Sequence, residues 1–263
     1  MKLHICRVIK EYRGRSQKAR FPVLSRLCGL SGRSVVDKSP PCDHKIPMSK
    51  PDRPTETTTP THERVFRALR SEIMHGEITP GQAITIRGIA ETYGVSMTPA
   101  REAVRRLTAE GALSLSKTGR VSAPQLSTER IEELASIRAL LEPELAARAQ
   151  PRAHLALIER LQNINTTIEQ MIVKKDAVGY IRSNLEFHRT LYLRAQAPAM
   201  LAMVETVWLQ LGPTMSALYA RLQRPNAAGN HRTAIAALRA GDEPGLKLAI
   251  RADVTQGLRM LGS

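Results

Sequence analysis

The sequence predicts a mainly α protein: an N-terminal winged helix-turn-helix, with three helices and a small two-stranded wing, and a C-terminal all-α helical bundle. Three observations predict it. Hydrophobic residues make up 42% of the chain but aromatics only 3%, so Leu, Ala, Ile and Val must fill the core, which favours helices over a β-sandwich. Turns at Gly76, Pro80-Gly81 and Gly94 separate short helical segments between residues 61 and 111. Beyond residue 127 the apolar residues keep helical spacing to the end, with no strand pattern. A chain of 263 residues has room for one large domain, or for a small one plus a medium one.

Residues 1–60 are expected to be a basic disordered tail. They carry 13 Lys or Arg against 5 Asp or Glu, more than half of the net +15, and end in the turn-rich "KSPPCDHKIPMSKPDRPTETTTP". The Arg- and Ser-rich composition loosely resembles an organelle transit peptide; the plainer readings are a basic extension or a true start at Met48. Cys6, Cys28 and Cys42 all lie in this stretch, odd in number and without CxxC spacing, so neither a disulfide framework nor a zinc knuckle is expected. A reducing cytoplasm fits, and no apolar run approaches the ~18 residues of a membrane span.

Residues 61–124 form the predicted winged helix-turn-helix. In "THERVFRALRSEIMHG", Phe66, Leu69 and Ile73 share one helical face and Gly76 stops the helix. Thr85 caps a short helix burying Ile86, Ile89, Ala90 and Tyr93, which ends at Gly94. In "GVSMTPAREAVRRLTAEG", Ser96 or Thr98 can cap the next helix, with Pro99 tolerated in its first turn. Ala100, Ala103, Val104 and Leu107 face inward, while Met97, Arg101 and Arg105 stack on another face beside Thr98. That pattern suits a recognition helix, since Arg can bond guanine O6 and N7 bidentately in the major groove. A solvated basic stripe would share it. The following "ALSLSKTGRVSAP" alternates Leu113 and Leu115 with serines, then turns through Lys117 to Arg120, as a wing that reaches phosphates or the minor groove would.

From about Val65 to Pro124, through "ITPGQAI", "GVSMTPAREAVRRL" and "AEGAL", the chain resembles the GntR family of bacterial transcription regulators. The resemblance implies DNA contacts at Arg87, Thr98, Arg101 and the wing around Gly119; Met97 stands where the family usually has Arg. A base contact is thereby lost, and apolar contact with a thymine methyl could replace it. Arg105, Lys117 and Arg120 complete the expected interface.

Residues 127–261 are expected to form a bundle of about six or seven helices, with breaks or kinks at Pro198, Pro213 and Gly241. The first helix carries Ile131, Leu134, Ile137, Leu141 and Leu145 on one stripe. Asn184 and His188 are four apart and face the same way. His231 lies ten residues before Gly241 and Asp253 twelve after, so antiparallel helices at about 1.5 Å per residue would bring them to one level. Two imidazoles, a carboxylate and an amide oxygen are suitable ligands for Zn²⁺, Mn²⁺ or Ni²⁺. Surface or satisfied core histidines would show the same spacing.

This half resembles the FCD effector domain of FadR-like GntR regulators, in "IRALLEPELAARA", "NLEFHRTLY", "NHRTAIAALRAGD" and "RAD". The resemblance implies metal ligands Asn184, His188, His231 and Asp253, where metal-binding members have Asp, His, His and His. Arg138 and Glu142 also repeat the family pattern. Arg138 could pair with an effector carboxylate, or form an i, i+4 surface pair with Glu142.

The expected protein is a cytoplasmic homodimeric regulator, a repressor by family habit, that binds a double-stranded DNA operator under control of a small organic-acid effector. Two other classes are compatible with the residues. A His/His/Asp set could activate water in a metal-dependent enzyme fused to a winged helix, although the chain has no HExxH and Glu186 points off the His188 face. A nonspecific basic nucleic-acid binder would draw its affinity from residues 1–60 instead.

Overall fold

The computed structural model describes residues 60–116, 118–219 and 228–256, apart from the side chains of 217 and 218. The basic tail and its three cysteines therefore lie outside the described residues, as does Lys117.

Helix α1 (Thr61–Met74) buries Val65, Phe66, Leu69 and Ile73, the predicted stripe plus Val65. After the Pro80-Gly81 turn come β1 (Ala83–Ile84) and α2 (Ile86–Tyr93), whose cap is Thr85, its hydroxyl accepting from the Gly88 amide. Ile89 and Ala90 are buried and Ile86 only partly so; Tyr93 is also partly exposed, its hydroxyl donating to Glu72 Oε1 at 2.7 Å. Gly94 adopts φ +62°, a left-handed turn that glycine enters without a Cβ penalty, and this lets α3 (Met97–Ala109) start three residues later.

Ser96 stands at the N-cap of α3 in extended backbone, but its side chain makes no capping hydrogen bond, and Thr98 lies inside the helix. Neither hydroxyl is therefore spent on the cap. Ala100, Ala103, Val104 and Leu107 are buried as expected. Arg106 ties α3 to α1: its guanidinium sits 3.5 Å from the Phe66 ring centroid and donates to Glu63 at 2.8 Å.

The wing comprises β2 (Ser114–Leu115) and β3 (Val121–Ser122), but the sheet has three strands, in the order β1–β3–β2, all antiparallel. Strand β1 was not expected, since two residues are too few to show an alternation. Tertiary pairing makes it a strand: Gly81 N–H donates to Ala123 O at 2.9 Å, and Ala83 and Ile84 register with Ser122 and Val121. The Leu113/Leu115 alternation also stops early. Leu113 is 3% exposed, inside the head's core, whereas Leu115 on the edge strand is 59% exposed.

Six helices follow among the described residues: α4 (Thr128–Ala149), α5 (Leu155–Lys174), α6 (Ala177–Tyr192), α7 (Pro198–Tyr219), α8 (Gly229–Ala240) and α9 (Glu243–Gln256). Side-chain caps from Ser127, His154 and Asp176 open α4, α5 and α6. Pro198 starts α7 and Gly241 closes α8, as expected, but Pro213 does not end α7, nor Pro143 α4. A proline removes one helical hydrogen bond, and burial of the neighbouring Leu209, Leu211 and Gly212 side of α7 outweighs that loss.

Helix α7 belongs to two cores. Val204 and Trp208 pack in the bundle, while Leu209 completes the core of the N-terminal head. Val207 and Leu211 join Ile131 and Leu134 of α4 in a small cluster between them.

Candidate functional site

The first candidate surface is the solvent face of α3 with the wing. Met97, at 43% exposure, lies on it with exposed Thr98, Arg101 and Arg105. The Arg101 side chain makes no hydrogen bond or ion pair among the described residues. Arg105 is held by Glu102 at 2.8 Å and Arg87 by Glu91 at 2.8 Å. Both pairs are highly exposed and so worth little, and a phosphate could replace either carboxylate. At the wing tip Gly119 takes φ +81° with its N–H donating to Ser116 O at 2.9 Å, which turns the exposed Arg120 outward.

The second candidate is a polar cluster inside the bundle. His188 of α6, His231 of α8 and Asp253 of α9 converge, each offering a ligand atom within 4.8 Å of the others. His188 Nε2 lies 3.0 Å from Asp253 Oδ2, and His231 Nε2 lies 3.5 Å from both His188 Nε2 and Asp253 Oδ1. Both imidazoles are essentially fully buried, and Phe187 stacks on His231 at 4.1 Å. Burial alone would raise the Asp253 carboxyl, but the two histidines hold it well below the usual carboxylate range. Asn184 is buried one turn before His188 on α6.

Glu142 supports this cluster from α4. Its carboxylate accepts from Arg138 Nε at 2.5 Å, from Trp208 Nε1 at 3.0 Å and from the Tyr192 hydroxyl at 2.9 Å. Tyr192 Oη also lies 3.0 Å from His188 Nδ1, so a hydrogen-bonded chain fixes that ring with Nε2 toward Asp253. The Arg138–Glu142 pair, which sequence spacing allowed to be a surface pair, is thus buried, with side chains 8% and 0% exposed. Tyr192 and Trp208 were not anticipated. Tyr192 could have been, since it continues the Asn184, His188 stripe by one more turn.

Two imidazole nitrogens and a carboxylate suit a divalent transition metal, with His188 oriented from behind as metal-bound histidines are. His231 Nδ1 is buried without a hydrogen-bond partner among the described residues, so only packing, with Phe187 stacked on the ring, holds that edge.

The cluster touches the head through consecutive residues of α7. Trp208 bonds Glu142, and Leu209 lies in the head's core. Gln210 Nε2 donates to Glu110 O at the end of α3, at 3.0 Å, while its Oε1 accepts from Arg130 of α4.

Comparison with known proteins gives the same two parts. Residues 61–121 match the bacterial regulatory proteins of the gntR family, and residues 133–256 match the FCD domain. The HTH-type transcriptional regulator McbR of Escherichia coli (strain K12) is 27% identical over 201 residues, 75% of this chain and 91% of that protein. The gluconate operon transcriptional repressor of Bacillus subtilis (strain 168) is 30% identical over 155 residues, 59% of this chain and 62% of that one. The solved structure of E. coli McbR/YncC superposes with a TM-score of 0.72 at 27% identity, covering 78% of this chain and 98% of that chain. These relatives and this fold are those of transcription regulators, not of enzymes.

Proposed function

Since the chain belongs to the gntR family of bacterial regulatory proteins and carries an FCD domain, we propose that it is a homodimeric repressor whose hold on a two-fold operator is set by a small organic acid bound in the bundle. Residues 61–124 bind DNA, and residues 127–261 bind the effector and dimerise. Met97, Thr98, Arg101 and Arg105 enter the major groove, while Arg87 and the wing, including Gly119, Arg120 and Lys117, meet the backbone. A relative named as an operon repressor supports repression as the output. A protein that works on a DNA operator would act in the cytoplasm. No helix among the described residues is long and apolar enough to cross a membrane.

One observation carries the coupling: Trp208 and Gln210 stand two residues apart on one helix, the first bonded into the polar cluster and the second to the end of the recognition helix. An effector that prefers one placement of Trp208 would favour one placement of the head, and the size of that preference limits the response. His188, His231 and Asp253, with Asn184, would hold a Zn²⁺, Mn²⁺ or Ni²⁺ ion. Such an ion would supply open coordination positions for a carboxylate or hydroxy acid, and Arg138 would take its remaining negative charge.

Two experiments test this. Genomic fragments selected with the purified protein should yield a preferred site, and Arg101→Ala should cost about 1–3 kcal/mol on that site while blurring base preference. An equal loss on random DNA would make Arg101 a phosphate contact. Replacing both His188 and His231 with Ala should abolish metal uptake, read by metal analysis of the purified protein, together with the effector response in an operator-binding titration. DNA affinity without effector should stay measurable, and a full response in the double variant would refute the metal anchor.

A further inference from the structure

A second, open cleft, lined in part by Trp208, lies where α1 of the head meets the bundle. It has a volume of about 800 Å³, within the usual range for small-molecule sites. Arg70 comes from α1 and His75 from its C-cap, Arg160 from α5, Arg182 and Arg189 from α6, and Arg194 from the turn that follows. Among the described residues the carboxylates lining it are Glu186 and Glu205, so arginines outnumber acids five to two.

Its ion pairs leave positive charge over. Glu205 holds Arg189 at 2.8 Å, and Glu186 holds Arg160 only at 3.5 Å. Arg70 is paired with Glu110 at 3.3 Å and Arg182 reaches out of the cleft to Glu77, while Arg194 makes no ion pair among the described residues. The pairs of Arg160 and Arg182 are largely exposed and cost little to exchange for an incoming anion. Half-buried His75 is held below its ordinary pKa by burial and then by the charge of Arg182, despite the opposing pull of Glu77. The floor is apolar, made by Leu157, Leu185 and the indole of Trp208.

We propose that this cleft is a second ligand site, separate from the His188, His231 and Asp253 cluster, which takes a small organic phosphate. Guanidinium forks match phosphate oxygens bidentately, and the apolar floor covers the carbon part of the ligand. The ligand would touch the head through Arg70 and His75 and the bundle through Arg182 and Arg194. It would therefore stabilise one placement of the two, independently of an effector inside the bundle.

The test uses the full chain and calorimetric titration, with ribose 5-phosphate as the probe and ribose and sulfate at equal ionic strength as controls. Saturable binding of one ribose 5-phosphate per chain is expected, with none of ribose and much weaker binding of sulfate. Arg182→Gln with Arg194→Gln should weaken it about tenfold or more, which is about 1.4 kcal/mol. Both side chains are exposed, so an unchanged melting temperature shows that the variant is folded. No saturable binding, sulfate binding as tight as the phosphate ester, or unaltered affinity in the folded variant each overturns the site. Operator affinity measured without phosphate is a separate readout, so either outcome here leaves the DNA-binding proposal standing.

Discussion

Glu142→Ala is expected to destabilise the protein by about 3–5 kcal/mol, the cost of breaking a buried ion pair by removing one partner. For a chain of this size that lowers the melting temperature by roughly 6–20 °C. The reason is the number of groups left without an acceptor. Arg138, the Trp208 indole and the Tyr192 hydroxyl all donate to the Glu142 carboxylate, which is 0% exposed, so no water replaces it at the wild-type geometry. Tyr192 would also lose the anchor through which it positions His188. The double variant Glu142→Leu with Arg138→Met removes the charges together and should recover the part of the loss due to the unpaired Arg138 charge, leaving the part due to Trp208 and Tyr192. Chemical denaturation of the three proteins checks this. A Glu142→Ala protein within about 1 kcal/mol of wild type would mean that the pair does not hold the polar core.

Gly212→Ala is expected to destabilise by about 1–3 kcal/mol, the usual cost of overpacking. The sign is the informative part, because alanine normally stabilises a helix interior over glycine by roughly 0.5–1 kcal/mol. At this position a Cβ would come within 2.1 Å of Ile73 O, with Met74 Cα and O both under 3 Å away. Backbone atoms cannot rotate aside, so α1 must move off α7. Amide hydrogen exchange should show lost protection at the end of α1, and the effector response of operator binding should fall even though Gly212 touches neither DNA nor the polar cluster. A stabilised Gly212→Ala protein would rule out this close approach of the two helices.

The segments that were legible in the sequence owe their form to local chemistry. The apolar stripe of α3, the Thr85 cap, and the glycines at 76, 94 and 241 are set by residues within a turn or two of one another, so spacing alone reveals them. The meeting of His231 with Asp253 was within reach as well, because a single tight turn joins two helices of known rise. The wing's third strand was not, since β1 exists only by pairing with β3 across almost forty residues of chain.

What the sequence alone determined is therefore the set of helices, their order, the exposed face of α3 and the residue types available to a metal or an acid. Which groups are buried together was decided by the tertiary structure. Glu142 and Arg138 form an ordinary i, i+4 pair on paper, and packing against α6 and α7 makes them the anchor of the polar core. The contact of Gly212 with Ile73 and the bond from Gln210 to Glu110 likewise join residues more than 90 positions apart. Helical periodicity records which side of a segment faces inward, but carries no information about which distant segment it will meet there.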